Sequence, residues 1–311
     1  MEYRQKTVDV FLKRSFQRIF LHYGHTNKYV QLSGQSAADT MRDLLQRPEP
    51  TMICRLGSNE LQCVAGFLRE RKSLTNLDWY TAFHWKDLLD FVTERAGFFP
   101  KNIDLLKDFC SMMIEDMKQV DVLGSWRKEE FYVNSLMKSA VRIRLRDLEP
   151  YNNSDPWTKA LSGKKVLVIH PFEETIRSQY KQRARIFEDP DILPEFDLKT
   201  VQAVQSIAGT KTPFKTWFDA LDHMKDQINN RDFDIALIGC GAYGFPLAAH
   251  VKRIGKKAVH IGGALQLMFG IMGKRWENNE NILRLKNKHW VYPSGAESPK
   301  NKDVVEGGCY W

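Results

Sequence analysis

No stretch of this 311-residue chain reaches roughly 18 consecutive apolar residues, so no segment reads as a membrane-spanning helix. The start, Met1-Glu2-Tyr3-Arg4-Gln5-Lys6, has no long apolar core behind it, which argues against a secretory signal. Cysteine is scarce and odd in number, and no two of Cys54, Cys63, Cys110, Cys240 and Cys309 have CxxC spacing. Several of them lie inside apolar runs. Reduced, mostly buried thiols in a cytoplasmic protein are therefore expected, rather than disulfides or a zinc site. Internal repeats, low-complexity tracts and any recognisable nucleic-acid module are missing too. What is present is 43% hydrophobic and 27% charged residues, which suits a folded domain with a sizeable core. The net charge of +8 suits an anionic partner, whether nucleic acid, for which no module is recognised, a phosphorylated small molecule or a membrane surface. A merely solvated basic surface would look the same, because the basic residues are spread out.

Along the chain, residues 7–22 read as an amphipathic helix. Val8, Phe11, Phe16, Ile19 and Phe20 supply its apolar side, and Lys13, Arg14 and Arg18 lie mostly off it. Such a helix docks on an anionic membrane or packs on its own domain. Helices are expected over 36–46, 59–71, 86–96 and 102–118, with strands at 51–55 and 121–123. Trp79 to Trp85 reads as an aromatic cluster in a loop. The turn formers from Glu149 to Pro156 mark a boundary between two lobes, 28–150 and 163–277. The second lobe alternates: strands at 165–169, 198–205, 234–238 and 257–261, helices over 173–187, 213–228, 244–254 and 264–270. This predicts an α/β fold, a Rossmann-like, mostly parallel sheet covered by helices. It divides into an N-terminal helical extension (1–27), one α/β domain (28–293) and a C-terminal tail (294–311). Trp290, Tyr292, Tyr310 and Trp311 need something to pack against, so 286–311 reads as ordered loop.

Four constellations carry chemistry. In Ile53-Cys54-Arg55-Leu56-Gly57-Ser58-Asn59-Glu60 a strand leads through a glycine turn into a helix that Ser58 can cap. Arg55 and Glu60 are then fixed at a strand's carboxyl end, where open α/β sheets bind ligands. Glu60 can coordinate a divalent metal or take a proton from a hydroxyl, or it can simply favour the helix start. Gly239-Cys240-Gly241-Ala242-Tyr243-Gly244 has GxGxxG spacing between a strand and a helix, the context of a diphosphate-binding edge. The next strand ends His260-Ile261-Gly262-Gly263, without the acid a dinucleotide ribose wants, which weakens a dehydrogenase reading. His170 ends another strand, and Gln179 and Arg183 on the next helix share a face that could grip phosphate or sugar hydroxyls. Gly262-Gly263 opens a further helix, and Lys274-Arg275 beside Trp276 suits an acidic leaving group or a stacked base. A solvated helix face, a hydrogen-bonded turn histidine and a basic loop explain the last two groups equally simply.

Arg55-Leu56-Gly57-Ser58-Asn59-Glu60 resembles the Arg-x-Gly-Asp-x-Glu signature of bacterial GT-D-type glycosyltransferases, and the likeness extends over roughly 50–275 through the glycine turn, Leu247-Ala248, Gly255-Lys256-Lys257-Ala258 and Ile261-Gly262. The run from Gly239 to Trp276 further resembles GT-D-like proteins of polysaccharide gene clusters. The resemblance implies a GT-D-like fold and transfer of a sugar from a nucleoside-diphosphate sugar to a glycan or lipid-linked glycan acceptor. The enzyme would sit in the cytoplasm or peripherally on the inner face of the membrane. Glu60 and Arg55 would be the catalytic pair. Gly57, Ser58, His170, Gln179, Arg183, Gly239, Gly241, Tyr243, Gly244, Gly262, Gly263, Lys274 and Arg275 would surround the donor. In that family the Asp-x-Glu pair is tied to a divalent metal, Mn or Mg. Ser58 stands where the family has Asp, and neutral Ser is a poor ligand for a hard cation. Either Glu60 holds the metal with donor phosphates and water, or Arg55, Arg183, Lys274 or Arg275 and helix N-termini offset the diphosphate charge instead. A Rossmann-type oxidoreductase, resting on the glycine spacing alone, and a non-catalytic nucleotide- or glycan-binding scaffold are the competing readings.

Overall fold

Seven short strands, β1 (Thr51–Cys54), β2 (Val122–Ser125), β3 (Val141–Arg144), β4 (Lys165–His170), β5 (Asp197–Gln202), β6 (Ile235–Ile238) and β7 (Lys257–His260), form one sheet in the order β3-β2-β1-β7-β6-β4-β5. Every neighbouring pair is parallel. The computed structural model describes residues 29–72, 78–304 and 307–311. The amphipathic helix read at 7–22, and with it the extension 1–27, lies outside the described residues.

The strands are apolar on both sides, as a sheet covered on both faces requires. Met52 and Cys54 of β1, Ile169 of β4 and Ile238 of β6 face one hydrophobic cluster. Ile53, Val168 and Leu237 face the other. The first cluster is closed by α2 (Ser58–Lys72), α3 (Asp78–Ala96), α4 (Ile103–Met117), α7 (Trp217–Asn229) and α8 (Gly244–Arg253). The second is closed by α1 (Gln35–Gln46), α6 (Glu173–Tyr180), α9 (Leu265–Met268) and the C-terminal segment through Trp290 and Trp311. Two short helices, α5 (Glu130–Val133) and α10 (Glu280–Leu285), complete the set among the described residues. Local sequence explains the longer helices. The Asn102 side chain caps α4 by accepting from Leu105 N–H, and Leu106, Phe109, Cys110, Met113 and Met117 recur at helical spacing on its buried face. Thr216 and Asp219 form a capping box at the start of α7.

Several boundaries differ from the sequence reading. Trp79 to Trp85 belongs to α3 and not to a loop, because Trp85, Leu88, Leu89 and Val92 bury one stripe against α2 and α4. The helix expected over 173–187 stops at Tyr180; the chain then makes a 3-10 turn at Arg183–Arg185 that buries Ile186, whose carbonyl accepts from Trp290 Nε1. Strand β3 was not anticipated. The turn-rich stretch 149–156 is packed rather than loose: the Gln35 amide donates to Asp155 O, and fully buried Trp157 donates to Leu148 O. One sheet runs through both lobes, with β1 of the first hydrogen-bonded along β7 of the second. All five cysteines are buried thiols, and burial pushes the thiols of Cys54, Cys63, Cys110 and Cys240 up, so they stay protonated. No described helix is long and apolar enough to cross a membrane.

Candidate active site at the carboxyl edge of the sheet

Because the sheet is wholly parallel, the segments that follow β1, β7, β6 and β4 emerge side by side at one edge. The helix after β1 packs on one face, through Leu61, and the helix after β7 on the other, through Leu265. Such a divergence between neighbouring strands opens a crevice at the carboxyl ends, the usual ligand site of open α/β sheets.

Arg55 follows β1 at that edge. Its guanidinium lies 4.7 Å from the centroid of the Trp126 ring, a cation–π geometry. Arg55 Nη2 donates to Leu56 O at 3.2 Å, and Trp126 Nε1 donates to the same carbonyl at 3.0 Å. The same side chain passes Gly262, where an added Cβ would lie 3.3 Å from Arg55 Cδ; Gly262 also has φ +71°. Gly262 in turn meets the glycine turn of β6, since a Cβ on Gly239 would lie 2.7 Å from Gly262 O and 2.9 Å from His170 Cδ2. Arg55, Gly262, Gly239 and His170 are thus packed one against the next.

Glu60 lies in the first turn of α2 and is 8% exposed. Its carboxylate folds back onto Gly57, where any Cβ would overlap it. Burial raises the Glu60 pKa; the amides of Glu60 and Asn59 and the charge of Arg55 pull it partly back. A second carboxyl, Glu149, also feels the charge of Arg55. Burial raises it, and Tyr151, Asn152, Arg55 and Arg146 oppose the rise. Glu149 accepts from Asn152 Nδ2 at 3.2 Å. Two buried histidines face the same edge. His170 Nδ1 accepts from Phe172 N–H at 3.0 Å, which leaves the proton of the neutral ring on Nε2. His260 Nδ1 is 3.1 Å from Ile238 O, an atom that only accepts, so its proton is on Nδ1. Burial lowers both pKa values to about 3, with Arg55 adding to the effect at His260.

Several of the remaining sequence candidates make their contacts elsewhere. Gln179 is buried and spends its amide on Phe269 O, Gly270 O and His289 O, clamping the turn after α9. Arg183 lies beyond the end of α6, paired with Glu195 at 2.6 Å just before β5, at the opposite edge of the sheet. Lys274 and Arg275 hold the tail: Lys274 Nζ donates to Gly307 O, and Arg275 lies 4.7 Å over the Tyr310 ring. Tyr310 lies on Gly263, at the position a Cβ would need. Tyr243 is buried, its ring stacked 4.7 Å from Trp217. In the GxGxxG run, Gly244 admits the His260 ring and Gly239 admits Gly262 O, so only Gly241, with φ +59° and nothing within 4 Å, leaves open space. Ser58 is half-buried at the start of α2. Trp126 and Glu149 were missed by the sequence reading, the first because β2 runs two residues further than expected and the second because its surroundings read as a linker.

Residues 32–268 match the model of the GT-D fold-like domain. The chain belongs to the GT-D-like family. No match was found among curated proteins or solved structures. In this GT-D-like domain the residues do not fit a protein-held divalent cation. Ser58 replaces one carboxylate, Glu60 is turned onto backbone amides beside a guanidinium, and the described residues contain no cluster of three His, Cys, Asp or Glu that could ligate a metal.

Proposed function

We propose that the chain is a glycosyltransferase that moves a sugar from a nucleoside-diphosphate sugar to a glycan or lipid-linked glycan acceptor in polysaccharide biosynthesis, acting in the cytoplasm or peripherally at the inner face of the membrane. One observation carries the reading: Arg55 lies against both Trp126 and Gly262 at the carboxyl edge of the sheet, with the buried carboxyl of Glu60 and the half-buried carboxyl of Glu149 in its field. A guanidinium so held suits the charge that develops on a departing diphosphate. The acceptor hydroxyl attacks the anomeric carbon, the bond to the diphosphate oxygen breaks, and the hydroxyl proton goes to Glu60. A carboxylate whose pKa is raised by burial is a better proton acceptor near neutral pH than a solvated one. Glu149 holds Arg55 in place as its counter-charge. Gly241 and the turn at Gly262 offer backbone to the nucleotide, and His170 Nε2–H is a neutral donor at the same edge.

The test is release of nucleoside diphosphate from a panel of nucleotide sugars by purified protein, with and without acceptor glycans and manganese. The expected result is turnover that Glu60→Gln and Arg55→Ala each reduce at least tenfold, about 1.4 kcal/mol of transition-state stabilisation. Equal turnover by Glu60→Gln and the parent would remove Glu60 from the mechanism. Donor binding without turnover across the panel would make the chain a binding module.

A further inference from the structure

Trp126, whose ring lies against Arg55, sits in a turn held by a buried carboxylate. Glu130, the first residue of α5, is fully buried. Its Oε1 accepts from Trp126 N–H at 2.9 Å and from Arg127 N–H at 3.0 Å, and its Oε2 accepts from Ser125 Oγ at 2.6 Å. The last residue of β2 and the two that follow it are thus tied to one side chain. We infer that Glu130 is a positioning residue for Arg55, acting through Trp126, and the kinetic consequence of that role rests on the sugar-transfer reading above.

The link from Glu130 to Arg55 is continuous. Glu130 fixes the backbone of Trp126. The indole Nε1 then donates to Leu56 O at 3.0 Å, and Arg55 Nη2 donates to the same oxygen at 3.2 Å. Ring and guanidinium are therefore registered on one carbonyl, with the guanidinium 4.7 Å from the ring centroid. Arg127 also meets this ring: its guanidinium lies 5.2 Å from the centroid, and its Nε and Nη2 donate to Glu129 at 3.1 and 3.0 Å. The counter-charge of Glu130 is Arg142 of β3, whose Nη1 lies 3.7 Å from Oε2. Arg142 is itself buried, and its Nη2 donates to Asn134 Oδ1 at 2.7 Å. Burying such a pair is costly, and well-packed apolar side chains often fill the same space with no loss of stability. What the carboxylate supplies and an apolar side chain does not is a fixed direction for two adjacent amides, one of them that of Trp126.

Side-chain NMR of arginine-labelled protein tests the assignment without substrate. The Arg55 Nε–H resonance, identified with Arg55→Lys, is expected to carry a ring-current shift that Trp126→Leu removes. Glu130→Ala is expected to remove most of that shift. Glu130→Gln, whose amide oxygen still accepts from both N–H groups, is expected to keep it. Apart from Arg127 and Arg142, the other arginine resonances stay in place. An Arg55 resonance unmoved by Glu130→Ala, a shift that Glu130→Gln fails to keep, or comparable shifts at all arginines each overturns the assignment. Thermal melting verifies folding, and the double variant Glu130→Ala/Arg142→Met, which removes both charges, replaces Glu130→Ala if that variant has no transition. Failure of both to fold also overturns it, because Glu130 would then serve the fold as a whole. In turnover, Glu130→Ala is expected to lower kcat at least about tenfold with donor KM changed less than about threefold, and Glu130→Gln to retain kcat within about threefold. The two readings fail separately. Donor turnover with an unmoved Arg55 resonance in Glu130→Ala would sink the positioning role and leave the transferase standing. The expected Arg55 shifts in a protein that turns over no donor would do the reverse.

Discussion

Gly57 shows how a single missing methyl group sets a functional carboxylate. The three atoms nearest to a Cβ there all belong to the Glu60 carboxylate, the flexible end of a side chain. Gly57→Ala is therefore expected to leave the fold largely intact and to displace Glu60. Donor turnover should fall about tenfold or more while the thermal midpoint moves by only a few degrees, as paired activity and melting measurements would show. The buried histidines set the response to pH. His170 and His260 bind a proton near 6.5 in the unfolded chain and only at about 3 in the fold. The unfolded state thus takes up protons first as pH falls, and stability is lost below about 6.5, by up to about 1.4 kcal/mol per pH unit for each histidine. Asp116 acts in the opposite sense, since burial raises it from 3.8 to about 6 and acidification through that window favours the fold. Above about pH 6 the histidines act first. Urea unfolding is expected to show lower stability at pH 6 than at pH 7, with a smaller loss in His260→Gln.

At the scale of elements, helix and strand positions were legible wherever apolar periodicity was unbroken. The β1–α2 turn, the strands of the second lobe and the capped helices stand close to where the sequence puts them. What was not legible depended on contacts between distant segments. Gln179 and Arg183 look alike as surface polar residues four apart, but only the end of α6 at Tyr180 separates their fates. Gln179→Ala is expected to cost ~1–3 kcal/mol, because three buried carbonyls lose their donor. Arg183→Ala removes a largely exposed ion pair worth under about 1 kcal/mol. Neither change should alter donor affinity, and titration of a nucleotide sugar alongside urea unfolding checks both statements. The role of the tail was equally hidden, because nothing in Tyr310 announces that it covers Gly263. The Gln266 amide donates to Tyr310 O, and Trp311 packs on Phe172. Tyr310→Ala is expected to speed amide exchange at residues 307–311 severalfold without lowering the global unfolding midpoint by more than a few degrees, read by hydrogen-exchange mass spectrometry.

For the whole molecule, the decisive feature is the order of the strands. The first strand pairs with the last, so neither lobe holds a closed sheet: β1 needs β7 on one side and β2 on the other. Residues 29–150 expressed alone are expected to show no cooperative unfolding transition, and mixing them with residues 151–311 is expected to restore one, as calorimetry would report. The same arrangement explains why Arg55 and Gly262, far apart in the chain, meet at one crevice. It also has a consequence for biosynthesis. Because β7 is synthesised long after β1, the ribosome leaves an unpaired sheet edge on the first lobe while the intervening strands are made, so that nascent lobe is the stretch most in need of chaperone protection in the cell.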